Sequence, residues 1–229
     1  MSSSDGPGAG GAPEGPIRAV LFDLDGTLLD SVPLILDSFL HTFAACGIPH
    51  PGDDVLRHGL GIPLRSYFAQ WATDPEQMER MIAVYRDYNL SNHDARVSAF
   101  PGVVDMVRQV RAGRWATALV TSKNRSASER GLALVGLSGT MDAIVTCDDV
   151  RRPKPDREPV DLALARLGVT AESAVFVGDS LHDLESGHAA GVRTAAALWG
   201  PFNREELAAG APDYWLQQPA DLEDVLHGR

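Results

Sequence analysis

Two aspartates one residue apart, in Asp23-Leu24-Asp25-Gly26-Thr27, are the first residues in the chain whose types and spacing can do chemistry. They follow an apolar run, Ile17 to Phe22, of the kind expected for a strand buried on both faces. Strand alternation points both carboxylates to one side. Such a pair can divide labour: one acts as nucleophile, the other gives a proton to a leaving oxygen and later takes one from water. Gly26 permits a tight turn away from the sheet. Asp-Gly alone is a common turn signal, but the whole string directly after a buried strand is much more specific.

Three more polar groups sit just past apolar runs. Thr121-Ser122-Lys123 follows Ala118-Leu119-Val120; its hydroxyls and backbone N–H groups can hold a phosphoryl oxygen. Taken singly, Thr121 and Ser122 suit a helix N-cap equally well. Lys154 lies between Pro153 and Pro155, which limit its backbone freedom; a fixed ammonium there neutralises anionic charge, although a basic loop in solvent would read the same. Gly178-Asp179-Ser180-Leu181-His182-Asp183 follows Val175-Phe176-Val177. Asp179 has the character of a Mg²⁺ ligand and Asp183 of a group supporting it, since Mg²⁺ takes oxygen ligands and only one or two protein carboxylates. The alternative is a capped helix start with acids at its positive end.

The elements that must position these groups follow from periodicity. Short apolar runs recur at Ala116 to Val120, Asp142 to Thr146, Ala174 to Val177 and Thr194 to Leu198, with helical spacing between them. Val103, Val107 and Val110 precede Gly113, and Leu162, Leu164 and Leu167 precede Gly168, each glycine marking a helix stop. Strands alternating with helices predict an α/β fold, a doubly wound, mainly parallel sheet. Ligands of such sheets bind at the carboxyl ends of strands, so the four groups converge. The stretch from Val32 to Ala99 breaks the rhythm. Leu34, Ile35, Phe39 and Phe43 mark one amphipathic helix there. Met78, Met81, Ile82, Tyr85 and Tyr88 mark another, with Asp74 as N-cap, Pro75 first and Gln77 third. The predicted organisation is a tail over 1–15, an α/β core over 16–30 and 100–229, and an all-helical module over 31–99.

Composition narrows the partners. A formal charge of −11 argues against nucleic acid and against an anionic membrane surface. No apolar stretch is long enough to span a bilayer. Two distant cysteines, Cys46 and Cys147, make no disulfide framework and point to a reducing, cytoplasmic setting. An anionic substrate must therefore be drawn in by a bound cation and a few local Lys or Arg side chains.

In type, order and strand context, the four groups resemble those of the haloacid dehalogenase-like (HAD) phosphatase superfamily, from Ile17 onward. The resemblance implies a Rossmann-like core with a helical cap domain. It implies that Asp23 becomes an aspartyl phosphate, that Asp25 is the general acid/base, and that Thr121 binds the transferring group. Lys154 would bridge nucleophile and phosphate. Mg²⁺ would be held by Asp23, the Asp25 carbonyl and Asp179, with Asp183 supporting. Gly61-Ile62-Pro63-Leu64, Tyr85-Arg86-Asp87-Tyr88-Asn89 with His93-Asp94, and Phe100-Pro101-Gly102 are similar to the phosphoglycolate phosphatase and pyrophosphatase branch. The substrate expected is thus a small phosphorylated metabolite or pyrophosphate. Arg57, with His58 and Arg65, offers anion contacts from the cap, although cations exposed on a surface would read the same. Tyr85, Asn89 and His93 lie four apart, on one helix face; His93 is a candidate substrate contact there, although such a stripe is more often part core packing and part solvated surface. The family often has proline where Arg157 stands, which leaves the shape of the lysine loop open. A sugar-phosphate mutase would use the same Asp23, whereas a phosphate-binding protein without turnover would be expected to lack one of Asp23, Asp25, Lys154 or Asp179, and all four are present. A receiver domain carries its acceptor on a later strand and lacks the helical insertion.

Overall fold

In a computed structural model, which describes residues 15–229, the first apolar run forms strand β1 (Ala19–Phe22), buried along its whole length. Of the expected tail, residues 1–14 lie outside the described residues. The chain then runs through β2 (Leu29–Asp30), α1 (Val32–Ala45), α2 (Asp53–His58), α3 (Leu64–Phe68), α4 (Pro75–Arg96) and β3 (Ser98–Ala99). Regular alternation follows: α5 (Val103–Ala112), β4 (Ala116–Val120), α6 (Arg125–Leu134), β5 (Ala143–Val145), α7 (Glu158–Leu167), β6 (Ala174–Gly178), α8 (Leu181–Ala190) and β7 (Arg193–Ala197). The chain ends with α9 (Arg204–Leu207), β8 (Tyr214–Leu216) and α10 (Leu222–His227).

The main sheet has the order β5-β4-β1-β6-β7-β8 and is parallel throughout. One face of β1, with Val20 and Phe22, packs on Val103, Met106, Val107 and Val110 of α5 and Leu222 of α10. The other face, with Ala19 and Leu21, packs on Val160, Ala163 and Leu164 of α7. Apolar cover on both sides explains why these strands read as continuous apolar runs. The chain leaves β1 for β4 and β5 on one side, then returns to β6, β7 and β8 on the other. The strand order therefore reverses at β1, and a crevice opens at its carboxyl end.

The helical segment has its own core. Phe39 and Phe43 of α1, Tyr67 and Phe68 of α3, and Met78, Met81, Ile82 and Tyr85 of α4 form one cluster. The rings of Phe39 and Tyr67 lie 4.4 Å apart, and Phe43 meets Phe68 edge-on at 6.1 Å, arrangements that favour aromatic quadrupoles. The start of α4 follows the expected chemistry: Gln77 N donates to Asp74 Oδ1 at 2.8 Å, with Pro75 in the first turn. One feature of this stretch departs from the all-helical reading. Its last residues, Ser98 and Ala99, form β3, which pairs antiparallel with β2. Two-residue strands are too short to register as periodicity. The chain thus enters and leaves the helical segment through one small antiparallel pair.

Candidate active site

The turn after β1 is held from several directions. Gly26 N donates to Leu29 O at 2.9 Å. Gly26 has φ +92°, and a Cβ there would strike the Asp179 carboxylate; only glycine fits both constraints. The indole of Trp199 donates to Thr27 O at 2.9 Å, and Thr27 Oγ1 donates to Asp179 Oδ1 at 2.5 Å. Gly200 packs so closely on Asp179 and Gly26 O that a side chain would overlap both. The Trp199-Gly200 segment therefore braces the Asp23–Thr27 turn against Asp179; it is not among the residues lining the cavity described below.

Lys154, buried to 4 % exposure, reaches into this turn from the loop before α7. Its Nζ donates to Asp23 Oδ1 at 2.8 Å, to Asp183 Oδ1 at 2.5 Å and to Val120 O at 3.3 Å. All three N–H groups thus have acceptors, as a buried ammonium requires. The loop carrying it closes with Asp156 N donating to Pro153 O at 3.0 Å, and Arg157, at the start of α7, pairs with Asp161 rather than capping the helix. Asp183 is committed further. Its Oδ2 accepts from Ser180 N at 3.0 Å and Ser180 Oγ at 2.6 Å in a capping box at the start of α8. Asp183 thus both caps α8 through Oδ2 and holds Lys154 through Oδ1.

Asp23, Asp179 and Asp183 can each present an oxygen with all three within 4.8 Å of one another. One ammonium among three buried carboxylates leaves excess negative charge. Burial pushes Asp23 up to about 7, with the charges of Asp183 and Asp25 adding and Lys154 opposing. Burial, then the charges of Asp183 and Asp23, also raises Asp179. Burial disfavours the charged form of Lys154, but attraction from Asp183 and Asp23 outweighs it and raises its pKa. An all-oxygen donor set with a surplus of negative charge suits a hard divalent cation.

Above the carboxylates lies a cavity of about 800 Å³, lined on the core side by Asp23, Asp25, Thr121, Ser122, Lys123 and Lys154. Ser122 Oγ is buried and has no hydrogen-bond partner among the described residues, so it is available to a ligand. Asn124, rather than Thr121 or Ser122, caps α6, its Oδ1 accepting from Ala127 N at 2.9 Å. Asp25 Oδ1 accepts from Lys123 Nζ at 2.6 Å and from Ser31 Oγ at 2.6 Å. In the sequence Lys123 is only one member of the Thr121-Ser122-Lys123 string, and Ser31 carries no signal of its own. Residues 98 positions apart in sequence leave no local signal of such a pair.

Two cap residues proposed as substrate contacts do not reach the cavity. Arg57 Nη2 donates instead to Glu206 Oε1 at 2.8 Å and to Pro201 O at 3.1 Å, with the guanidinium over the Phe202 ring. It ties the helical segment to the core. His93 is 1 % exposed. Its Nδ1 lies 2.8 Å from Asp94 Oδ1, and Arg130 of α6 donates twice to the same Asp94. Of the face read from four-residue spacing, Tyr85 and Asn89 line the cavity and His93 does not.

Fold, site and sequence place the chain in one class: it belongs to the haloacid dehalogenase-like hydrolase family, matching over residues 20–197. It is 39% identical over 207 residues to "Pyrophosphatase PpaX" of Bacillus velezensis, covering 90% of this chain and 94% of that protein. A hydrolase from Pseudomonas syringae superposes with a TM-score of 0.84 at 22% identity, covering 92% of this chain and 98% of that one. CbbY from Rhodobacter sphaeroides, solved in complex with xylulose-(1,5)bisphosphate, superposes at 0.77 with 25% identity, covering 90% and 96%.

Proposed function

We propose that the protein is a Mg²⁺-dependent phosphatase that transfers a phosphoryl group from a small phosphate ester or anhydride to Asp23 and then hydrolyses the aspartyl phosphate. The observation that carries this reading is the placement of Lys154 between Asp23 and Asp183, with Asp179 alongside, at the carboxyl end of β1. Asp23 and Asp179 keep carboxylate oxygens free of Lys154 and of the α8 cap, and are the ligands we assign to Mg²⁺ together with the Asp25 carbonyl. Asp183 is already engaged and supports them. Bound there, Mg²⁺ supplies charge neutralisation between two anions, the ester and its nucleophile.

This chain's residues do the rest. Lys154 holds Asp23 in place and opposes charge on the equatorial oxygens of a loose transition state. Thr121, the free Ser122 hydroxyl and nearby backbone N–H groups receive the phosphoryl oxygens. Asp25 faces the same cavity and is assigned proton transfer to the leaving oxygen and from the attacking water. The helical segment forms the far wall and limits bulk water.

Pyrophosphate is the first substrate to test, because relatives at 37% to 39% identity are named for it. Phosphoglycolate comes second, since the solved proteins carrying that name are 20% and 24% identical and share the fold. The reading is one of a cytoplasmic enzyme, supported by the unpaired thiols of Cys46 and Cys147; no helix among the described residues is long and apolar enough to cross a membrane.

The test is phosphate release from pyrophosphate, phosphoglycolate, sugar phosphates and p-nitrophenyl phosphate, with and without Mg²⁺, beside Asp23→Asn. Mg²⁺-dependent release that vanishes in the variant is expected. Undiminished release by Asp23→Asn would sink the aspartyl-phosphate mechanism.

A further inference from the structure

The cavity holds five cationic side chains, Arg65, Arg86, Lys123, Arg151 and Lys154. Three are already neutralised: Lys154 by Asp23 and Asp183, Lys123 by Asp25, and Arg65 by Glu79. The guanidiniums of Arg86 and Arg151 have no carboxylate partner and no hydrogen bond among the described residues; the backbone N–H of Arg151, by contrast, donates to Glu158 Oε1 at 2.9 Å. They come from opposite walls. Arg86 shares its face of α4 with the cavity-lining residues Ile82, Tyr85, Asn89 and Leu90, as helical spacing requires. Arg151 follows β5 on the core side, in the same lining segment as Cys147 and Asp148. The charge on Arg86 is felt across the gap. Burial, then the Asp148 charge, push the Cys147 thiol up to about 11, and Arg86 opposes them.

The position of these two arginines differs from that of the buried Lys154. Both are exposed, whereas Asp23 and Lys154 are 6 % and 4 % exposed. A cavity of about 800 Å³ also has room for far more than one phosphoryl group, being in the range that holds whole small molecules. A chain of formal charge −11 has little reason to leave two guanidiniums uncompensated at the mouth of an anion site, unless an anion completes them. Guanidinium forks match the planar geometry of carboxylate and phosphate.

We propose that Arg86 and Arg151 form a second anion subsite that grips the leaving-group end of the substrate, as a phosphate or carboxylate, between the helical segment and the core. This rests on the phosphatase reading and narrows it to substrates with an anionic group at both ends. Cations from both walls draw the two parts together over such a substrate, and a substrate with an uncharged tail gains nothing from them.

Arg86→Gln, Arg151→Gln and the milder Arg86→Lys are compared with wild type on pyrophosphate, phosphoglycolate and p-nitrophenyl phosphate. In Arg86→Gln, the ratio of kcat/KM for pyrophosphate over p-nitrophenyl phosphate should fall at least about tenfold, the scale of one charge-assisted hydrogen bond. Arg86→Lys, which keeps charge but loses the fork, should fall between. An equal fall with phosphoglycolate identifies the subsite as one for anions generally, and a fall confined to pyrophosphate as one for phosphate. An unchanged ratio overturns the subsite. Calorimetric binding of methylenediphosphonate, with inorganic phosphate as the single-anion control, decides the matter without turnover. The diphosphonate-to-phosphate affinity ratio should drop by the same factor. If wild type hydrolyses nothing yet this ratio still drops, the phosphatase reading fails while the subsite stands; if the ratio holds in both variants, the subsite fails alone.

Discussion

On the core wall of the cavity the buried charged groups are tied down: Lys154 to Asp23 and Asp183, Lys123 to Asp25, and Asp179 to the Thr27 hydroxyl, with the exposed Arg151 standing apart. The cap wall is built from Phe39, Ile82 and Tyr85, with the Arg86 guanidinium on its edge unpaired among the described residues. The first wall is preorganised by charge, the second by apolar packing. Preorganised charge suits a step that is the same for every substrate, and an adaptable cation on a packed scaffold suits the part that differs. Removing Lys154 should therefore do the most damage. Lys154→Met leaves Asp23 and Asp183 buried without their cation. Phosphate release should fall by at least about 100-fold, and metal-free stability in urea by about 3–5 kcal/mol. A variant retaining activity within a few-fold would mean that the core wall is not organised around this ammonium.

On the cap wall, Phe39 is 2 % exposed and touches the rings of Tyr67, Phe68 and Tyr85. Phe39→Ala should cost about 3–5 kcal/mol, but locally. Hydrogen exchange should accelerate in α1, α3 and α4 while β1, β4 and β6 keep their protection. Uniform acceleration would show the two walls to be one cooperative unit and blunt the contrast.

The same contrast explains what could be read from the sequence. The groups on the core wall sit in short strings directly after buried strands, and Asp23, Asp25, Thr121, Lys154 and Asp179 could be picked out because strand ends in a parallel sheet converge by topology. The Asp74 cap and the helices ending at Gly113 and Gly168 were legible for an equally local reason. The cap wall offered no such rule. Helical spacing placed Tyr85, Asn89 and His93 on one face, but could not say where along that face the cavity ends. It ends before His93, which is buried with Nδ1 on Asp94. Arg57 looked like an anion contact because it is cationic; its partner Glu206 lies 149 residues away, and no local pattern announces it. The contacts of Lys123 and Ser31 with Asp25 have no local signal, because they depend on meeting Asp25 in space.

Metal and pH separate the walls further. Asp23 in the folded protein lies at about 7, above its ordinary 3.8. The folded state therefore keeps this proton while the unfolded state loses it, so the metal-free protein should lose stability as pH rises from about 4 to about 7. A cation compensates the same charges, so the rise in Tm on adding Mg²⁺ should be small near pH 5 and larger near pH 8. Asp179→Asn should remove most of the Mg²⁺ response while leaving the cap helices as stable as before. A Mg²⁺ response that is flat with pH would place the cation elsewhere than among these carboxylates.

The smallest effect expected lies where the two walls are tied. Arg57 and Glu206 form a pair that is 40% and 38% exposed, so its contribution to stability should be about 0–1 kcal/mol. Its consequence for turnover is of another kind. Arg57 also holds Pro201 O, in the segment whose Gly200 packs on Asp179. The helical segment is thus tied to the stretch that braces the carboxylates. Arg57→Met should leave Tm within a few degrees and raise KM a few-fold, because the cap closes less often over bound substrate while the core groups stay in place. Glu206→Gln should do the same, and the double variant should do no more than either alone, the sign that both act through one contact. Additive effects on KM would separate the two residues and leave the β2–β3 pair and the Asp94–Arg130 contact to hold the walls together.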